Sequence, residues 1–233
     1  KPVFLTSYKD SLKQTYRADR VINFGKSVAS ATSRDLSYSP HKTAAIAVVD
    51  ATNSLIAKGV AKSTIALAIN YSLLGGTDDS SELGKNLSSI LGVHRSTIEL
   101  CIPQIKPQIS YSKRNRSITI LASANAPKRP IESRFKNGDT KIYFLPIYFL
   151  ESGLPDYEKY RQSISYFYSQ IEEDRILSSF AINENLSQTL KSAAKATNLN
   201  FFESYFFECF GQDAYSNAHG ILFESYEKDL CND

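Results

Sequence analysis

The chain has 233 residues, of which 42% are hydrophobic and 22% are charged, and its formal net charge is +3. These proportions are ordinary for a soluble globular protein. No apolar run reaches the roughly 18–20 residues that a membrane-spanning helix needs, and three cysteines do not form the even set typical of a secreted disulfide scaffold. We therefore expect a cytoplasmic protein.

The small net charge hides an uneven distribution along the chain. Residues 1–150 contain 21 Lys and Arg against 10 Asp and Glu, whereas residues 151–233 contain 6 against 14. Such an asymmetry indicates an anionic partner for the basic segment. The acidic segment is expected to serve self-association or the binding of a protein partner.

The N-terminal third is predicted to be an arm followed by helices. Residues 1–38 show no strong period and are interpreted as an arm with one helix near Tyr8–Arg20. Ser39 before Pro40 predicts the start of a helix that runs to Ile56 and ends at Gly59. Apolar spacing and the turn residues between the segments predict three further helices: Ser63–Leu73, Leu83–Gly92 and Arg95–Ile102.

From Gln108 the apolar period changes from helical to two, which predicts β-strands. Two alternating runs flank the basic tetrapeptide Lys113-Arg114-Asn115-Arg116, so we predict a β-hairpin with this tetrapeptide at its tip. A second hairpin is predicted from Ile131 to Leu145, with its turn at Asn137-Gly138.

The C-terminal part is predicted to be helical. Asp156 is expected to cap a long helix that reaches about Leu177, and Asn183 or Asn185 to cap another through Leu186, Leu190 and Ala194. The aromatic block Phe201–Phe210 is interpreted as core or dimer contact, because dense aromatic clusters are usually buried.

The most informative segment runs from Gly84 to Pro103. A small residue, Ser88, is followed four residues later by Gly92, where a turn would need positive φ, and the apolar Ile98 and Cys101 then recur at helical spacing. This pattern resembles the helix-turn-helix of DNA-binding proteins of bacteria, plasmids or phages. Because a basic hairpin follows directly, the whole resembles a winged helix-turn-helix.

The resemblance implies a mainly α fold with β-hairpins (α+β) in three parts. These are an arm (1–38), a winged helix-turn-helix domain (39–125), and a second hairpin with a helical, aromatic-rich C-terminal region for dimerisation or partner binding (126–233). It also implies which side chains meet DNA: His94, Arg95, Ser96, Thr97 and Glu99 on the recognition helix, and Lys113, Arg114, Asn115 and Arg116 on the wing.

We therefore predict that a homodimer binds double-stranded DNA sequence-specifically, as a transcription regulator or a plasmid or phage replication initiator associated with the nucleoid. Two alternatives stay open. One is a protein-interaction scaffold whose helix-turn-helix is purely structural. The other is a metal-dependent nuclease.

The sequence argues against an enzyme, a cofactor and a metal site. It contains no Gly-x-x-x-x-Gly-Lys-Ser/Thr phosphate-binding loop, and its three histidines are isolated. Cys209, His219 and Cys231 are too far apart for the usual spacing of zinc ligands.

Overall fold

The computed structural model describes residues 20–24, 27–76, 78–136, 140–184, 186, 189–190 and 218–226. The chain divides into two compact units. Unit 1 comprises residues 1–55 and 62–126, and unit 2 comprises residues 56–61 and 127–233. The predicted helix at Tyr8–Arg20, the turn at Asn137-Gly138 and the block Phe201–Phe210 lie wholly or almost wholly outside the described residues.

Unit 1 is built on a five-stranded sheet with the strand order β1-β2-β5-β3-β4. The strands are β1 (Arg20–Phe24), β2 (Ser27–Asp35), β3 (Ala66–Leu74), β4 (Gln108–Ser112) and β5 (Ser117–Asn125). All neighbouring pairs are antiparallel except β3 and β4, which run parallel. The sheet is therefore mixed, with its parallel pair at one edge.

The described residues of unit 1 form two α-helices. Helix α1 (Pro40–Ile56) confirms the helix predicted from Ser39 and Pro40, and its alanine and valine side chains are buried. Helix α2 (Ser80–Glu99) begins at Asp79, whose side chain accepts a hydrogen bond of 2.8 Å from the Ser81 backbone N–H. Asp79 is therefore the N-cap of this helix.

The predicted second helix, Ser63–Leu73, is wrong, because most of it forms strand β3. The buried residues alternate along this strand: Leu67, Ile69, Tyr71 and Leu73. This alternation is the period of a half-buried strand. The sequence analysis missed it because the alanines and leucines of the segment also fit a helical period. The predicted break between the third and fourth helices is wrong, since Leu83–Gly92 and the first residues of Arg95–Ile102 lie in the uninterrupted α2, which ends at Glu99.

The first predicted hairpin is wrong as well. Strand β4 pairs with β3, and β5 lies between β2 and β3, so β4 and β5 are not hydrogen-bonded to each other. The chain between them is a connection across the sheet and not a wing. Together these differences contradict the mainly α fold with β-hairpins.

Unit 2 contains the antiparallel sheet β6-β8-β7, with β6 (Lys141–Pro146), β7 (Ile176–Glu184) and β8 (Ala218–Ser225). Helix α3 (Tyr157–Glu172) confirms the helix predicted from Asp156, whose side chain accepts from the Lys159 N–H at 3.1 Å. It ends before the predicted Leu177, which lies in β7. The second predicted hairpin is wrong, because β6 pairs with β8.

The core of unit 2 is aromatic and aliphatic. Phe135 and Phe180 pack with their ring centroids 4.9 Å apart, within a cluster that includes Ile182 and Leu222. Aromatic pairs at such separations stabilise a core beyond simple burial of area.

Candidate functional site

The predicted recognition helix does not present the expected face. Ser96 and Thr97 are buried, and the Ser96 hydroxyl donates a 3.0 Å hydrogen bond to the Ala45 carbonyl of α1. The residues expected to anchor this helix, Ile98 and Cys101, are exposed, Ile98 by 60%. Two of the five helix residues predicted to meet DNA therefore face the interior.

Small residues explain this orientation of α2. The helix buries Ser89, Gly92 and Ser96 and leaves Leu83 and Leu87 exposed. A Cβ built at Gly92 would lie 2.9 Å from the His41 carbonyl carbon and closer still to its oxygen. Gly92 therefore permits a close crossing of α1 and α2, and it is not a turn glycine. His94 and Arg95 remain exposed and Glu99 is half-buried.

The basic tetrapeptide between β4 and β5 is divided by burial. Lys113 and Arg114 are exposed, whereas Arg116 is buried. The Ser112 hydroxyl binds the Asn115 side chain at 3.0 Å and stabilises the turn. The predicted wing cluster is therefore not one surface: two of its cations face solvent and the third belongs to the interior.

Arg116 is held by a polar network at the N-terminal half of α2. Its guanidinium donates to a Glu82 carboxylate oxygen and, at 2.7 Å, to Asn86 Oδ1. Lys85 also binds the Glu82 carboxylate, at 2.6 Å. These hydrogen bonds from Lys85 and Arg116 lower the pKa of Glu82, so the carboxylate is charged at neutral pH.

Asn86 joins this network to the end of strand β3. Its Oδ1 accepts from the Leu74 backbone N–H at 3.2 Å, and its Nδ2 donates to the Leu74 carbonyl at 2.8 Å. The two bonds satisfy the last residue of the strand much as a neighbouring strand would. The end of β3 is thereby fixed to α2.

A cavity of about 560 Å³ opens where β3 and β4 end, beside the first turns of α2. Because the two strands are parallel, their carboxyl ends meet at this edge, with Leu74 opposite Ser112. Crevices outside the carboxyl ends of parallel strands are frequent ligand sites, and this volume lies in the ligand-pocket range of about 300–1,000 Å³. The cavity is our candidate functional site.

The cavity combines apolar walls with a few polar groups. The walls are formed by four side chains: Leu73, Leu74, Leu83 and Tyr111. A Cβ at Gly75 would lie 2.8 Å from the Tyr111 Cβ, so the missing side chain lets Tyr111 lie close to this turn. Gly75 also donates its N–H to the Ser112 carbonyl at 2.9 Å, which joins the two strand ends.

The polar side chains that line the cavity are Asn86, Ser112 and Lys113. The Ser112 hydroxyl is bonded within its turn to Asn115 Oδ1 and to the Arg114 N–H. The Lys113 ammonium makes no hydrogen bond or ion pair with the other described residues. The described lining residues include no carboxylate. This arrangement can bind a ring-bearing molecule with an anionic group near Lys113.

Two other buried carboxylates have structural partners. Arg34 binds the fully buried Asp50 at 2.9 Å between β2 and α1. In unit 2, buried Glu224 accepts hydrogen bonds of 2.7 Å from the hydroxyls of Ser178 and Thr140. We assign both groups to stability.

Lys58 and Tyr71 also have shifted pKa values, and neither is among the lining residues of the cavity. Burial lowers the pKa of Lys58, against the opposing charge of Glu132, and the Lys58 ammonium donates to Ser133 Oγ. Burial also raises the pKa of Tyr71 on β3. Among the described residues no group of three or more His, Cys, Asp or Glu could hold a metal ion. None of the described helices is long and apolar enough to cross a membrane.

No protein-family model and no curated protein matches the chain. Several solved structures are similar to the chain. Thiamine monophosphate kinase (ThiL) from Aquifex aeolicus is 12% identical and has a TM-score of 0.60, over 94% of this chain and 86% of that one. AaThiL complexed with AMPPCP and TMP is 13% identical with a TM-score of 0.58, over 93% and 82%.

Thermotoga maritima PurL complexed with ATP is also similar, with 13% identity and a TM-score of 0.67. The match covers 90% of this chain and 38% of the PurL chain. These structures are of a kinase and of a phosphoribosylformylglycinamidine synthase, not of winged-helix proteins. They contradict the predicted DNA-binding function and the prediction that the chain is not an enzyme. The chain has the fold shared by these ThiL and PurL structures.

Proposed function

We propose that the chain is an enzyme, or part of one, that binds an adenine nucleotide in the unit 1 cavity. The observation that carries the proposal is an apolar cavity at the carboxyl ends of β3 and β4, lined by the cation Lys113, which has no ion-pair partner among the described residues. Support comes from the fold, since structures that share it were solved with ATP, ADP and AMPPCP. The absence of a P-loop motif excludes one class of nucleotide site only.

The cavity chemistry matches the two ends of a nucleotide. A planar base is favoured between Leu and Tyr side chains, because burying apolar surface and stacking on an aromatic ring both stabilise it. The phosphates would lie near Lys113, with the exposed Arg114 next in the chain. Ammonium and guanidinium groups form strong, charge-assisted hydrogen bonds with phosphate oxygens.

Calorimetric titration with ATP, ADP and AMPPCP, each with and without Mg²⁺, tests the proposal. Lys113→Ala should weaken nucleotide binding by roughly tenfold or more, since a hydrogen bond to a charged group contributes about 1.5–3 kcal/mol. Lys106→Ala is the matched control, because Lys106 is an exposed lysine just before the opposite end of β4 and is not among the lining residues.

Turnover is tested separately by following ADP release from ATP. We expect ADP to form once a phosphate acceptor is supplied. The proposal is wrong if no nucleotide binds at millimolar concentration. It is also wrong if Lys113→Ala and Lys106→Ala bind nucleotide equally well.

A further inference from the structure

The amide of Asn86 has one orientation, determined by its neighbours. Oδ1 accepts from both the Leu74 N–H, at 3.2 Å, and Arg116 Nε, at 2.7 Å, while Nδ2 donates to the Leu74 carbonyl at 2.8 Å. A flipped amide would set Nδ2 against two donors and Oδ1 against a carbonyl oxygen. The network of Arg116 and Glu82 therefore locks the amide with Nδ2 in its present place.

One hydrogen of this amide remains for a ligand. An Asn side chain has two N–H donors, and the Leu74 carbonyl is the one acceptor recorded for them among the described residues. Asn86 is only 7% exposed and lines the cavity. A buried donor without an acceptor costs free energy, which an acceptor on a bound molecule would relieve.

We propose that Asn86 is the specificity-determining residue of the cavity, and that its second Nδ2 hydrogen donates to a ring nitrogen of the bound purine. This inference rests on the proposed function, because it assumes that a nucleotide base enters the cavity. A site arranged in this way favours rings with an acceptor at that position and rejects rings that present a C–H or N–H there. Arg116 and Glu82 act as positioning residues, since they hold the amide and do not themselves line the cavity.

The test compares ATP with its 1-deaza, 3-deaza and 7-deaza analogues by calorimetric titration. Each analogue replaces one ring nitrogen of adenine with C–H and so deletes one acceptor. We expect one of the three to bind at least about tenfold more weakly than ATP, because its base leaves a buried donor unpaired. The other two should bind within about threefold of ATP.

Asn86→Asp provides the matched variant. A carboxylate keeps acceptors for the Leu74 N–H and for Arg116 but has no hydrogen to donate. In this variant the difference between ATP and the discriminated analogue should disappear, as in a double-mutant cycle. If the variant does not fold, the test is made by NMR on the wild-type protein, by following the side-chain amide proton resonances of Asn86. One of the two should move downfield when ATP is added.

The outcomes separate the two proposals. If ATP does not bind the wild-type protein, the proposed function fails and this inference fails with it. If ATP binds and all three deaza analogues bind equally tightly, the role of Asn86 is refuted while nucleotide binding stands. Unchanged discrimination in a folded Asn86→Asp variant would refute it too.

Discussion

Replacing Gly92 by alanine should destabilise the protein, although alanine is the better helix former. Gly92 lies within α2, where Gly→Ala alone would stabilise by about 1 kcal/mol. The added Cβ, however, would lie 2.9 Å from the His41 carbonyl carbon, well inside the usual carbon–carbon separation of about 3.5–4.0 Å. The obstacle is helix backbone, so relief requires α1 and α2 to move apart. Overpacking of this kind costs about 1–3 kcal/mol.

The expected net effect is a loss of up to about 2 kcal/mol in the free energy of unfolding, because about 1 kcal/mol of helix propensity offsets about 1–3 kcal/mol of overpacking. Gly84→Ala is the matched control, because Gly84 is in the same helix and nothing lies within 4 Å of its built Cβ. It should stabilise by up to about 1 kcal/mol. Urea unfolding followed by circular dichroism measures both variants. If Gly92→Ala is as stable as Gly84→Ala, the close helix crossing is wrong.

Three further predictions concern stability. Asp50→Ala should cost about 3–5 kcal/mol in urea unfolding, because it leaves the buried Arg34 charge without its carboxylate; a loss below about 1 kcal/mol would contradict this role. Glu82 has a pKa below its ordinary value of 4.5 when folded, so its contribution is complete above pH 4.5 and is lost as pH falls through the lower folded value. The stability gap between wild type and Glu82→Gln should therefore be larger at pH 6 than at pH 3, and an equal gap would refute the ion-pair assignment. Gly220→Ala should cost about 1–3 kcal/mol, since its Cβ would lie 3.1 Å from the Leu145 carbonyl carbon and closer to the oxygen; an unchanged urea midpoint would count against that close approach.

Helix caps and the apolar period of the sequence correctly predicted two of the helices. Helices α1 and α3 begin where a cap and the apolar period agree, at Pro40 and after Asp156. The orientation of α2 was not predictable from apolar period, because its leucines are exposed and its interface is made of small residues around Gly92. The partner of such a face lies about 50 residues away in the chain, in α1.

The candidate site was only partly predictable. Lys113 and Arg114 were singled out from the sequence and are exposed, but Arg116 is buried because Glu82 and Asn86 bind it. No sequence signal indicated the cavity, since it arises from parallel pairing between residues 70–74 and 108–112. Such pairing joins distant segments through a long connection, which short-range patterns do not report.

The position of β5 has a consequence for synthesis on the ribosome. Strand β5 (Ser117–Asn125) lies between β2 and β3, which do not pair with each other, yet it is the last strand of unit 1 to be made. Until it emerges, β2 and β3 each lack a partner on that edge, and unpaired edges promote association with other chains. Unit 1 therefore gains its central pairing only after β5 has been synthesised. A nascent chain that stalls before Ser117 keeps two unpaired strand edges, to which chaperones can bind.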